Sequence, residues 1–277
     1  MPRVISFLLL LLFALFPLHR SSAQNTSYPF THLTPADGLA STTVVDIVQD
    51  SNGFIWIGSQ DGVSRYDGRN FIHYRPNPID SLSLSSLDAP YLEADNRGGI
   101  WITITDQGVD YYDPVLEGFK KYRSEQGLPQ NQRYTEISVD DSSNVWAATD
   151  SSIYRLDPVS DRFVRDEGQE PGSVYRLQSK GNGELIFLHL STRGDVYIGR
   201  RNSSGEYSYE EVSRSLNPSG SHPYRMHVFM ESDGGEWLVN QDHYLKKESP
   251  ESEWAPYPVN DDICLDNLRE ALFDPEG

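Results

Sequence analysis

Short polar stretches recur at nearly equal distances along the chain: Gln60-Asp61, Asp106-Gln107 and Asp150, with Gln241 further on. Interspersed with them are Arg75, Asn77, Arg123, Arg133 and Tyr134. Amides, carboxylates and guanidinium groups beside a tyrosine can hold a polar ligand such as a sugar, through hydrogen bonds and contacts with the ring. The plainer reading of Asp61, Asp106 and Asp150 is that they are turn residues, because aspartate bonds to nearby backbone in turns. The seven histidines show no His-x-x-x-His spacing and Cys264 is the single cysteine, so neither a zinc set nor disulfides are expected. Asp50-x-Asn52-Gly53 has part of a calcium loop but lacks the other ligands and the closing glutamate. No glycine-rich phosphate loop is present, which argues against kinase chemistry within this segment.

The elements that would position these residues come from an internal repeat. Trp56, Trp101 and Trp146 are spaced 45 and 45 apart. Each follows a turn, Asp50-Ser51-Asn52-Gly53, Asp95-Asn96-Arg97-Gly98 or Asp140-Asp141-Ser142-Ser143. Two weaker copies have Ile186 in place of tryptophan and then Trp237. Every copy reads as four short strands, with Gly53 and Gly98 supplying the positive φ that a hairpin turn needs. Such a sheet cannot cover both of its faces, and radial packing on its neighbours solves this, with tryptophans filling the spaces between blades. The expectation is therefore an all-β chain: a β-propeller of about five four-stranded blades and the start of a sixth, part of a seven-bladed ring. A β-sandwich or a solenoid is the rival architecture, and a period near 45 is long for either.

Residues 1–23 read as a cleaved signal peptide: Arg3, the apolar run Val4 to Leu18, then Ser21-Ser22-Ala23. About fifteen residues of helix rise only about 22 Å, too short for a membrane core. Residues 24–277 read as the N-terminal part of the propeller, exported to the periplasm. Pro29-Phe30-Thr31-His32-Leu33 matches the fourth-strand segment Phe71-Ile72-His73-Tyr74, as expected of a strand that closes a ring. The last ten residues, Leu268 to Gly277, match the start of another repeat, so the chain is expected to be a fragment of a longer product. A formal charge of −18 disfavours nucleic acid and anionic membrane surfaces as partners.

The segment Ile47 to Asp67 closely resembles the two-component regulator propeller repeat, and Gly38 to Gly68 resembles its usual first copy. The resemblance runs over roughly residues 28–277, strongest in the first three copies, and departs from the pattern where Ile186 replaces tryptophan. It implies the periplasmic sensor of a membrane-bound hybrid histidine kinase, often two seven-bladed propellers and a β-sandwich before a membrane helix and the kinase. It also implies recognition of an extracellular cue, often an oligosaccharide, passed inward through a homodimer, without a cofactor. No second membrane span, kinase or receiver segment appears in this sequence. The segment is expected to be non-catalytic. The alternatives are a secreted glycan-active propeller enzyme and an extracellular protein-interaction scaffold. Asp-box turns of propeller sialidases read Ser-x-Asp-x-Gly-x-x-Trp, whereas Asp50 lies three positions before Gly53, and 41 acidic residues hide any catalytic pair.

Overall fold

The computed structural model describes residues 32–87, 91–212, 226–231, 234–240, 244–249 and 251–257. The proposed signal peptide, residues 29–31 of the closing strand, Gln241, Cys264 and the C-terminal repeat start lie outside these. By contacts the chain divides at His32, and every element below belongs to the unit Leu33–Gly277.

Twenty strands among the described residues form five antiparallel sheets of four, each in simple meander order. The first sheet holds β1 (Val44–Gln49), β2 (Ile55–Ser59), β3 (Gly62–Tyr66) and β4 (Phe71–Tyr74). The second holds β5 (Leu92–Ala94), β6 (Ile100–Ile104), β7 (Gly108–Asp113) and β8 (Gly118–Tyr122). The third comprises β9 (Tyr134–Val139), β10 (Val145–Thr149), β11 (Ile153–Asp157) and β12 (Arg162–Arg165). The fourth comprises β13 (Gly172–Lys180), β14 (Glu184–Ser191), β15 (Val196–Arg201) and β16 (Tyr207–Glu211). The fifth comprises β17 (His227–Met230), β18 (Glu236–Val239), β19 (Tyr244–Lys247) and β20 (Ala255–Pro256).

First strands of successive sheets lie against one another, β1 on β5, β5 on β9, β9 on β13 and β13 on β17. Local hairpins with stacked inner strands are what a propeller requires, and the five sheets are its blades. Each apolar cluster sits between two blades. Trp56 and Val63 pack on Ile100, Ile102 and Tyr112, and Trp101 and Val109 pack on Tyr134, Val145 and Phe163. Trp146 and Ile153 pack on Leu177, Leu185 and Phe187. Ile186 joins Leu188 against Val228 and Leu238, so it does the packing of the missing tryptophan.

The turn before each tryptophan does more than reverse the chain. Asp50 accepts from the backbone N–H groups of Asn52 (2.9 Å) and Phe54 (3.0 Å) through one carboxylate oxygen, and from the Trp56 indole (2.8 Å) through the other. The same position in the fifth blade is Glu231, which accepts from the Trp237 indole at 2.8 Å. In the second blade Asp95 accepts instead from the Tyr111 hydroxyl at 2.9 Å. Any side chain at Gly99 would collide with that tyrosine ring, so glycine is needed there for close approach. Lys180 occupies the acid's place where Ile186 has no indole to satisfy. The expected left-handed turn residues are present at Gly53 (φ +86°) and Gly98 (φ +81°), and Ser143 takes this conformation in the third blade at φ +63°.

Blades four and five are also tied by charge. Arg200 donates to Glu236 (2.6 Å) and Glu210 (2.9 Å), and Lys247 donates to Glu210 at 2.9 Å. Burial works against Glu210 ionising, but Lys247 and Arg200 together hold its carboxyl below the ordinary range.

Two predictions follow from these contacts. Asp50→Ala strips a buried indole and two turn N–H groups of their acceptor and should cost about 2–4 kcal/mol in urea unfolding. Asp140→Ala should cost less, since its outer oxygen serves the amide of Asn144 and not an indole. A depressed carboxyl stabilises the fold above its unfolded pKa, and that contribution disappears as pH falls through the lower folded pKa. Melting temperature should therefore drop on acidification below about pH 4.5, the unshifted glutamate value. Glu210→Gln should start from a lower melting temperature and show a shallower acid decline.

Candidate ligand-binding face

Turns between second and third strands, and connections from a fourth strand to the next blade, meet on one face. Arg75 Nε donates to the Asp61 carbonyl (3.4 Å), Asn131 N to the Asp106 carbonyl (3.1 Å), and Asp150 N to the Arg133 carbonyl (2.9 Å). Asp106 has a left-handed backbone (φ +59°) in the three-residue loop that joins Ile104 to its partner Gly108. The side chains of Gln60, Asp61, Arg75, Asn77, Asp106, Gln107, Arg133 and Asp150 are exposed there. Asn77, Gln107 and Arg123 come together in a cleft of about 350 Å³, which Gln60, Asp61 and Asp150 do not reach.

Two of the expected ligand residues are taken up by the fold. Tyr134 is buried in the core between blades two and three and donates its hydroxyl to the Pro129 carbonyl at 2.7 Å. Burial pushes its phenol well above the usual tyrosine range. Arg123 donates to the carbonyls of Val109 (2.9 Å) and Tyr122 (2.8 Å), to Ser85 Oγ (2.6 Å), and to Asp110 Oδ1 (2.6 Å). Asp110 is fully buried, so this guanidinium is the counter-charge of a core carboxylate. Residue type alone shows neither role, because tyrosine and arginine serve equally as anchors and as ligands.

The structure adds a set of residues that the loops do not contain. Asp46, Tyr91, Glu136, Arg176 and His227 each stand ten positions before Trp56, Trp101, Trp146, Ile186 and Trp237. They occupy matching positions at or beside the first, innermost strands. Asp46, Glu136 and His227 pair with Gly58, Ala148 and Val239, the residue two beyond each tryptophan, and the Tyr91 carbonyl accepts from the equivalent Thr103. Arg176 falls in a β-bulge between the paired residues Tyr175 and Gln178, with φ +51°. Five different polar groups thus form a girdle along the inner strands of five blades. Neighbours interact: Asp46 accepts from Leu92 N at 2.6 Å, and Arg176 lies 3.8 Å from Glu136. Burial first and Glu136 second raise the Tyr91 phenol above its ordinary value, while Arg176 and Arg133 pull it back. The first blade shows a sequence signal for its member, a single aspartate in the apolar run Val44-Val45-Asp46-Ile47-Val48, and the other members share only the ten-residue offset.

Meandering four-stranded blades, tryptophan clusters between them and a polar girdle define a β-propeller. Residues 38–61, within the first repeat, match the family model described as two component regulator propeller. A stretch of 63 residues is 48% identical to "Histidine kinase P4" of Formosa agariphila, covering 23% of this chain and 5% of that protein. The extracellular domain of a hybrid two component system from B. thetaiotaomicron superposes with a TM-score of 0.54 at 18% identity, over 83% of this chain and 37% of that one. Virginiamycin B lyase from Staphylococcus aureus superposes with a TM-score of 0.58 at 16% identity, over 84% of this chain and 73% of that one. At these identities the structural likenesses show the fold. The chain spans about a twentieth of the curated kinase and well under half of the two-component domain.

The geometry separates structural from exposed polar residues in a measurable way. Arg123→Ala leaves the buried Asp110 without its counter-charge and should destabilise the protein by about 3 kcal/mol. Asp61→Ala and Asp150→Ala, on exposed turns, should change stability by less than about 0.5 kcal/mol. Chemical denaturation of the three variants checks this.

Proposed function

We propose that this chain is the exported, ligand-sensing propeller of a two-component sensor, periplasmic in the full-length protein and non-catalytic within these residues. The observation that carries the reading is the polar girdle, set in a propeller whose first repeat contains the match to the two component regulator propeller model. A girdle of carboxylate, phenol, guanidinium and imidazole offers donors and acceptors of every type around one region. Blade hairpins outside it form a rigid frame, which suits recognition with little backbone rearrangement. An oligosaccharide fits these groups, since its hydroxyls use both donors and acceptors and its ring faces pack on tyrosine. Output would lie in parts of the full-length protein outside this chain, reached through a homodimer.

A glycan array followed by calorimetry and a hydrolase and lyase activity screen tests the proposal. Saturable binding without product formation is expected. Turnover of a bound glycan would instead make this a glycan-active enzyme, and the absence of binding to any glycan would leave an interaction scaffold as the better description.

A further inference from the structure

Resting on the ligand-sensing reading, we propose that Arg133, Arg176 and Thr135 form a subsite for a carboxylate, borne by an acidic sugar or by a small organic acid. These residues, with Tyr91 and Tyr175, line a cavity of about 20 Å³ beside the girdle where blades two, three and four meet. That volume holds about one water-sized group, so it takes one oxygen of a ligand's carboxylate and leaves the rest of the ligand outside.

Three observations converge on an anion. Thr135 is only 6% exposed, and its buried hydroxyl has no hydrogen-bond partner among the described residues. A buried hydroxyl left in this way is unfavourable unless a bound group answers it. Arg176 is held at φ +51° in a bulge, a conformation that a non-glycine residue adopts at a cost and that redirects its side chain. Arg133 is exposed and lines the same cavity as Arg176. Against these two positive charges stand Glu136, 3.8 Å from Arg176, and Asp46, which accepts from Leu92 N beside Tyr91, so the local charges balance and an anion depends on directed donors. The chain as a whole is at −18, so general attraction cannot gather anions here, and any anion held is held by local geometry.

A carboxylate has the matching chemistry. Its two oxygens accept from two guanidinium groups in the charge-assisted manner, and the Thr135 hydroxyl adds a third donor. Tyr91 and Tyr175 then flank the atoms that carry the carboxylate, offering ring surface to an apolar sugar face.

Calorimetry with glucose, sodium glucuronate and sodium acetate tests the subsite. Glucuronate should bind at least about tenfold more tightly than glucose. Arg133→Ala should weaken glucuronate by about tenfold or more, and the near-isosteric Thr135→Val by a few-fold, with the melting temperature of each confirming an intact fold. Acetate binding with the same dependence on Arg133 would show that a free acid suffices. Binding of glucuronate alone would show that the carboxylate must be carried on a sugar. The proposal is overturned if both acids bind no more tightly than glucose, or if the folded Arg133→Ala protein retains full affinity. In that case water fills the cavity. Neutral glycans bound on the array without preference for acids would remove the subsite and leave the sensing reading intact, whereas binding of neither a glycan nor a free acid would remove both.

Discussion

A twisted four-stranded sheet with apolar side chains on both faces cannot cover either face by itself. Everything else in this chain depends on how that burial is met. The second strand of each blade carries the bulky residue, and it packs onto the middle strands of the next blade, as Trp56 does on Ile100 and Ile102. Contacts within a blade are hairpins of short sequence separation, while the tryptophan contacts join one repeat to the next. The energy of the fold is therefore distributed along a series of similar interfaces, each dominated by one large apolar group and its neighbours.

The indole brings a polar N–H into that interface, and the turn acid answers it in some blades. Asp50 and Glu231 reach the indoles of Trp56 and Trp237, although one side chain is shorter than the other. Trp101 and Trp146 keep buried indole nitrogens without a partner among the described residues. Tyr111 has taken the acid of the second blade, and the Arg201 guanidinium lies 5.0 Å from the Trp146 ring. Where isoleucine replaces tryptophan, the turn acid is gone as well. In blades one, four and five the two positions change together, whereas in blades two and three the acid is present and serves Tyr111 or Asn144.

The candidate site follows from the same geometry. Inner strands converge, so a polar residue at one register recurs beside its counterparts from neighbouring blades. Bulges in β1, β9 and β13 interrupt regular pairing at this level and leave room for such groups. Loop residues such as Asp61 and Asp150 are more exposed and have fewer side-chain partners, while the girdle is half-buried and joined by hydrogen bonds and ion pairs. Recognition residues held on strands keep their geometry better than those at hairpin tips.

Much of this was readable without the fold. The 45-residue spacing of Trp56, Trp101 and Trp146, and turns ending in Gly53 and Gly98, specify four-stranded repeats. Turn chemistry and alternation act over a few residues, so local sequence determines them. The substitution by Ile186 was legible for the same reason, since the turn before it keeps its length. Sequence alone did not decide which polar groups are available to a ligand. Tyr134 and Arg123 look like ligand residues beside their loops, but burial against the neighbouring blade and the carboxylate of Asp110 commits them to the core. Conversely, Asp46, Tyr91, Glu136, Arg176 and His227 are scattered over some 180 residues and become one set only when the inner strands align. Burial and proximity between repeats are properties of the packed blades, and only the tertiary structure assigns them.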